Sequence, residues 1–124
     1  MADDVKEIEV ESVEDVSLSL HIGGSFPFKA QLYEYPVGGG APKPTGAELQ
    51  GTATIVIGKV AKGTVRRFMW AVVVVSNDDD EKTIDIAGHV VTATKTIGTV
   101  KGTATVKKPQ MKCFVNVKVK GKGP

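Results

Sequence analysis

Apolar and polar side chains alternate with a period of two along much of this chain. Over residues 16–22 every second residue is aliphatic, and the residues between them are serine or histidine. The same alternation returns over 53–57 and over 111–119. In an extended segment, a period of two places the apolar side chains on one side, as in a half-buried β-strand. No segment carries the apolar stripe of an amphipathic helix, and the best helical candidate is a short turn over 45–49.

Turn-forming residues separate these segments. Glycine, proline or acidic residues cluster at 36–46, 62–63 and 76–82, and each cluster is typical of a loop or a hairpin turn. The chain has 124 residues, the size of one ordinary domain. Roughly seven to nine short strands in such a domain predict an all-β fold. We expect residues 1–124 to form a single-domain antiparallel β-sandwich of jelly-roll or Ig-like type, with extended terminal arms as an option; the alternative is a closed β-barrel.

One strand is apolar on both sides. Residues 68–75 read FMWAVVVV, which is typical of a central strand that is covered on both faces. Two arrangements satisfy this pattern. Other parts of the same chain cover both faces, or one face meets a second copy of the protein. We therefore identify a candidate subunit interface on this strand, formed by Phe68, Trp70, Val73 and Val75.

An earlier strand presents mixed chemistry on its polar side, which carries Lys29, Gln31, Tyr33 and Tyr35. Tyrosine combines a rigid apolar ring with a hydroxyl that can form hydrogen bonds. These four residues are the candidate surface for a ligand or a protein partner, with the tyrosines available to stack on a sugar ring. The alternative is that the second sheet or the loop over 36–46 covers the tyrosines as ordinary core.

Charge is distributed unevenly along the chain. Residues 1–16 carry seven acidic residues and one lysine, whereas residues 86–124 carry eight lysines and no acidic residue. Either the terminal strands lie close together in one sheet and their charges screen each other, or the acidic end of one subunit meets the basic end of the next. The basic segment contains no arginine, and Phe114 is its only aromatic residue, so we expect no nucleic-acid partner.

Few residues point to catalysis or to a cofactor. Cys113 falls on the apolar side of its strand, where a buried thiol is a poor nucleophile. His21 and His89 are isolated, and a metal site needs three or four ligands. The acidic segment 77–81 lacks the spacing of a helical calcium loop, which favours a solvated hairpin tip over a calcium site. We predict no catalytic residues, no metal, no cofactor and no enzymatic activity.

These observations favour a non-catalytic structural protein that assembles into a homo-oligomer. By size and architecture, a virion accessory role such as capsid decoration or a tail component is the leading hypothesis. The alternative is a cytosolic, lectin-like carbohydrate-binding module. The expected partners are the protein itself, a larger protein assembly or a glycan, with no membrane. The single cysteine excludes an internal disulfide, and the acidic start lacks a secretory h-region, so we expect a cytoplasmic or virion location.

Overall fold

The computed structural model describes residues 7–23, 28–50, 53–75, 82–93, 95–106 and 110–123. The described ranges contain nine β-strands and no helix. In chain order the strands are β1 (Glu7–Glu11), β2 (Val16–Ile22), β3 (Phe28–Tyr35), β4 (Lys43–Gln50), β5 (Ala53–Gly58), β6 (Val65–Val75), β7 (Lys82–Val91), β8 (Thr96–Val106) and β9 (Gln110–Lys122).

The strands form two sheets. One has five strands in the order β1-β9-β6-β3-β4, and the other has four in the order β5-β2-β7-β8. The β-sandwich prediction is therefore confirmed, and the described strands do not close into the alternative barrel. Neighbouring strands run antiparallel with one exception: β1 and β9 run parallel. The five-stranded sheet is thus mixed rather than wholly antiparallel.

The core lies between the two sheets and follows from the period-two pattern. Alternate residues of each strand point inward, so aliphatic side chains from both sheets meet in one buried cluster. β6 lies in the middle of its sheet, as its continuous apolar sequence predicts. Two of its inward residues, Trp70 and Phe68, are the largest fully buried side chains of the core. The fully buried residues of β6 are Phe68, Trp70, Val72 and Val74.

The two terminal strands lie side by side, which explains the uneven charge along the chain. The glutamates of β1 and the lysines of β9 occupy opposite positions: Glu7 faces Lys118 and Glu9 faces Lys120. At the end of the ladder, the Lys122 ammonium lies 3.6 Å from the Glu11 carboxylate. Opposite charges on neighbouring strands stabilise a sheet modestly. The expectation that the terminal strands lie close together in one sheet is confirmed. The predicted terminal arms fall on residues 1–6 and 124, outside the described residues.

The connection between β3 and β4 is shorter than its sequence suggests. Proline and glycine over 36–46 predicted a loop, and 45–49 was the best helical candidate. The loop prediction is wrong for residues 43–46, and the helical turn over 45–49 is wrong altogether, because an edge strand runs from Lys43 to Gln50. Proline fits an edge strand because it lacks an N–H for a second neighbour. Gly46 takes a left-handed φ of 75° where the pairing with β3 shifts register.

No helix capable of spanning a membrane occurs in the part of the chain that the structure describes.

Candidate binding surface

The outer side of the five-stranded sheet carries an apolar centre. Tyr33 on β3 lies opposite Met69 on β6. One row further along the sheet, Ala71 lies opposite Phe114 on β9. Val73 continues the series on β6, and Phe114 is 53% exposed. We call these five residues the apolar outer face.

The apolar outer face joins parts of both predicted sites. It contains Tyr33 from the predicted ligand surface and Val73 from the predicted subunit interface, because β3 and β6 are neighbours in the sheet. Val75 lies on the same side of β6 as Val73. The structure brings these residues together without showing what covers them, so their role in binding stays a prediction.

Two of the predicted interface residues point the other way. Phe68 and Trp70 are 1% and 0% exposed, and both lie in the core between the sheets. A side chain that its own chain covers has no surface left for a partner. The interface prediction is therefore wrong for Phe68 and Trp70, because consecutive residues of a strand point to opposite faces. The predicted interface is left with Val73 and Val75.

Gln31 has an internal role in the sheet. Its Nε2 donates to the carbonyl oxygens of Gly46 and Leu32 at 3.0 and 3.2 Å, and to that of Thr45 at 3.5 Å. These carbonyls flank the register shift between β3 and β4, where the regular ladder is interrupted. The Gln31 amide therefore stabilises the edge strand, and its N–H groups are not free for a ligand. Lys29, also on the predicted ligand surface, is exposed.

Tyr35 stands at the rim of a depression at one end of the apolar outer face. Its hydroxyl lies 3.5 Å from the Met69 sulfur. The depression has a volume of about 730 Å³. Its walls are the loop 36–40 on one side and the outer residues of β6 and β9 on the other. The polar side chains in its lining are Tyr35, Arg67, Asn116 and Lys118.

The outer side of the four-stranded sheet is mostly polar, and Val56 on its edge strand is 69% exposed. Ser19 lies opposite His89, whose Nδ1 is 2.8 Å from the hydroxyl of Thr99 on the next strand. His21 is exposed. One ring nitrogen of His89 already forms a hydrogen bond with the hydroxyl of Thr99. The placement of His89 is therefore explained by a contact within the sheet.

Residues with metal-binding or nucleophilic chemistry do not gather into a site in the described ranges. No group of three His, Cys, Asp or Glu side chains there is arranged to hold a metal ion. Cys113 packs against the core, and burial raises the pKa of its thiol. A raised pKa keeps the thiol protonated at neutral pH and lowers its nucleophilicity. The acidic segment 77–81 lies outside the described residues.

Sequence reasoning missed the best-formed polar contact of the structure. Arg66 pairs with Glu34 through two parallel hydrogen bonds of 2.8 Å each, from Nε and Nη2. Its Nη1 donates to the Ile57 carbonyl at 2.8 Å, and its guanidinium lies 5.1 Å from the ring centre of Phe68. The hydrogen bonds to Glu34 raise the pKa of Arg66. Because Ile57 belongs to the four-stranded sheet, this group ties the two sheets together.

A sequence signal for this contact does exist. Arg66 has the inward phase of Phe68 and Trp70, and Glu34 has the inward phase of Leu32. Two opposite charges at core-phase positions of different strands are candidates for a pair, because an unpaired charge is costly to bury. The sequence alone does not show that β3 and β6 are neighbours.

Comparisons with protein-family models, with curated proteins and with solved structures give no match for this chain.

Proposed function

We propose that this protein is a non-catalytic assembly protein that forms a homo-oligomer through the apolar outer face. One observation carries the proposal: Phe114 is 53% exposed within an apolar patch that extends over three neighbouring strands. The sheet does not need an apolar side chain at this position, because the opposite side of the same strands already supplies the core. Contiguous apolar patches on a protein surface are typical of interaction sites.

The surroundings of the patch have the composition of an interface rim. Exposed Lys29 lies beyond Val73 on one side, and Arg67 lies beyond Met69 on the other. Interfaces between proteins commonly combine an apolar centre with a polar, solvent-accessible border. The aromatic content of the patch, from Tyr33 and Phe114, also fits, because aromatic residues are enriched at interface centres.

Charge favours a second copy of this chain as the occupant. The outer side of the same sheet carries both signs, with Glu7 and Glu9 on β1 beside Lys118 and Lys120 on β9. A surface that carries acidic and basic rows can meet its own copy with opposite charges facing each other. A twofold contact uses the same patch on both subunits, so it requires this kind of self-complementarity.

The experiment is a measurement of native mass by light scattering at low and at high salt. We expect a defined oligomer that persists at high salt, because salt screens charges but does not weaken apolar contact. Val73→Lys replaces one of the apolar residues of the patch by a charge, and we expect folded monomers. Val56→Lys is the matched control, since Val56 is 69% exposed at the edge of the other sheet, and it should assemble like the unmodified protein.

Two results would overturn the proposal. The unmodified protein could be monomeric at both salt concentrations, or folded Val73→Lys could keep the full mass of the oligomer. If high salt alone dissociates the oligomer, the charged rows rather than the apolar outer face hold it together. Circular dichroism of each variant confirms that a change in mass does not come from unfolding.

A role in a larger assembly extends the same proposal. A small all-β oligomer with one binding face suits an accessory subunit such as a capsid-decoration or tail component, by analogy of size and architecture. The carbohydrate alternative is weakened, because the N–H groups of the Gln31 amide donate to backbone carbonyls and are not available to a sugar. A glycan panel tests the alternative: binding that Tyr33→Ala abolishes without loss of fold would replace assembly as the function.

A further inference from the structure

The depression beside Tyr35 contains two cations at directly opposite positions. Arg67 on β6 faces Lys118 on β9, and both side chains line the depression. Like charges that face each other across two strands destabilise the sheet. An anion held between them would remove this repulsion, so the arrangement is better suited to a bound anion than to water alone.

The neighbouring acidic groups leave Arg67 uncompensated. Glu34 is held by Arg66 through a bidentate pair that lies on the inner side of the sheet. Glu7 faces Lys118 from β1, on the side away from Arg67. Arg67 itself has neither an ion pair nor a side-chain hydrogen bond among the described residues. Its guanidinium is therefore free to hold a ligand.

The loop opposite these cations is shaped by glycine. Gly38, Gly39 and Gly40 all have left-handed φ angles, of 91°, 101° and 110°. The Gly39 N–H donates to the Pro36 carbonyl at 3.3 Å, which closes the turn. Without side chains at three consecutive positions, a ligand can approach the backbone closely. The loop thus forms a wall of the depression that does not fill it.

We propose that this depression binds a ligand that carries a phosphate or sulfate group. The Arg67 guanidinium holds two oxygens of the group, since its planar fork matches an oxyanion. Lys118 supplies the second positive charge, and Asn116 offers an amide donor. The ring of Tyr35 lies at the rim, where the organic part of the ligand would rest. This site adjoins the apolar outer face, whose border includes Arg67, and goes beyond the proposed assembly function.

The test uses inorganic phosphate, inorganic sulfate and phenyl phosphate as probes in titrations followed by backbone amide NMR. We expect saturable shifts of the signals of loop 36–40 and of Arg67. Arg67→Gln should weaken binding by about tenfold or more, because it removes a charge-assisted bidentate contact. Lys101→Gln is the matched control: it removes one exposed positive charge on the four-stranded sheet and should leave the affinity unchanged.

The probes separate the two sources of the oxyanion. Tighter binding of phenyl phosphate than of inorganic phosphate indicates an ester whose ring contacts Tyr35, whereas equal binding indicates a free oxyanion. Shifts that do not saturate, or an equal affinity of Arg67→Gln, overturn the proposal. Repeating the titration with Val73→Lys separates this site from assembly, because a monomer that still binds phosphate retains the site even where the assembly proposal fails.

Discussion

The two outer faces of the sandwich differ, although the same alternation builds both sheets. On the five-stranded sheet the outward positions include Met69, Val73 and Phe114. On the four-stranded sheet they include Ser19 and His89, with Val56 as an exposed apolar residue at the edge. Both sheets contribute buried aliphatic side chains to the same core. Threonine, valine and aromatic residues all suit extended backbone, so strand formation does not decide between the two kinds of outer face. The difference between the two outer faces is the observation on which the proposed assembly rests.

Replacement of the inward-facing Trp70 of β6 by lysine gives the largest expected loss of stability. Trp70 is fully buried, so Trp70→Lys should unfold the protein, with a loss of roughly 5 kcal/mol in the free energy of unfolding. Val73→Lys on the outer side should keep the fold. Urea denaturation followed by circular dichroism checks both. A native-like Trp70→Lys would show that β6 does not divide an inner face from an outer one.

A milder substitution controls for the bulk of the indole ring. The indole N–H of Trp70 has no hydrogen-bond partner among the described residues, so Trp70→Phe loses packing but no hydrogen bond. We expect Trp70→Phe to fold, with a free energy of unfolding about 2–3 kcal/mol higher than that of Trp70→Lys.

Glycine-to-alanine substitutions compare a crowded position in the five-stranded sheet with an open position in the four-stranded sheet. A methyl group on Gly121 of the five-stranded sheet would overlap the carbonyl oxygens of Val60 and Ala61. Gly121→Ala should therefore cost about 3 kcal/mol in the free energy of unfolding. On the four-stranded sheet a methyl group on Gly102 meets no atom within 4 Å, and Gly102→Ala should be within about 0.5 kcal/mol of neutral. Equal thermal midpoints for the two variants would contradict the close approach at Gly121.

Loss of the Arg66 contacts that link the two sheets is expected to reduce the free energy of unfolding by an intermediate amount. Arg66→Ala leaves Glu34 without its partner and removes the bond to the Ile57 carbonyl, and should cost about 2 kcal/mol in the free energy of unfolding. The control is Lys59→Ala, which breaks an ion pair to Asp15 in which both side chains are more than half exposed. That change should stay within about 0.5 kcal/mol. Urea unfolding curves compare them, and a cost for Lys59→Ala as large as that for Arg66→Ala would remove the special role of the partly buried pair.

The smallest expected effect concerns the reactivity of the Cys113 thiol, which tests the difference between the two sides of β9. Cys113 packs inward and Phe114 points outward. Because burial raises the pKa of the Cys113 thiol above its ordinary value of 9.0, alkylation at pH 8 should be slower in the folded protein than in urea. The small stabilisation from the neutral thiol is fully present below pH 9.0 and is lost as pH rises through the raised folded value. Equal alkylation rates in the folded and unfolded protein would place the thiol in solvent.

The sequence predicted what depends on local alternation. The inward phase of Val115 and Val117 and the central position of β6 followed from residue spacing. The edge strand β4 was missed, since Pro44 and Gly46 are typical of loops and only pairing with β3 makes them a strand. The uneven charge along the chain indicated the pairing of β1 with β9 only as one of two alternatives. The Arg66–Glu34 link and the internal hydrogen bonds of Gln31 depend on which strands become neighbours, and strand spacing carries no information on that.

The position of β9 between β1 and β6 has a consequence for the order of folding. β1 and β9 are separated by almost the whole chain, and such distant contacts carry a large loop-closure cost and slow folding. Until β9 is in place, β1 has no neighbour in its sheet. The hairpins β3–β4 and β7–β8 can form early, because each joins consecutive strands. We infer that insertion of β9 is the late step that completes the five-stranded sheet and, with it, the apolar outer face.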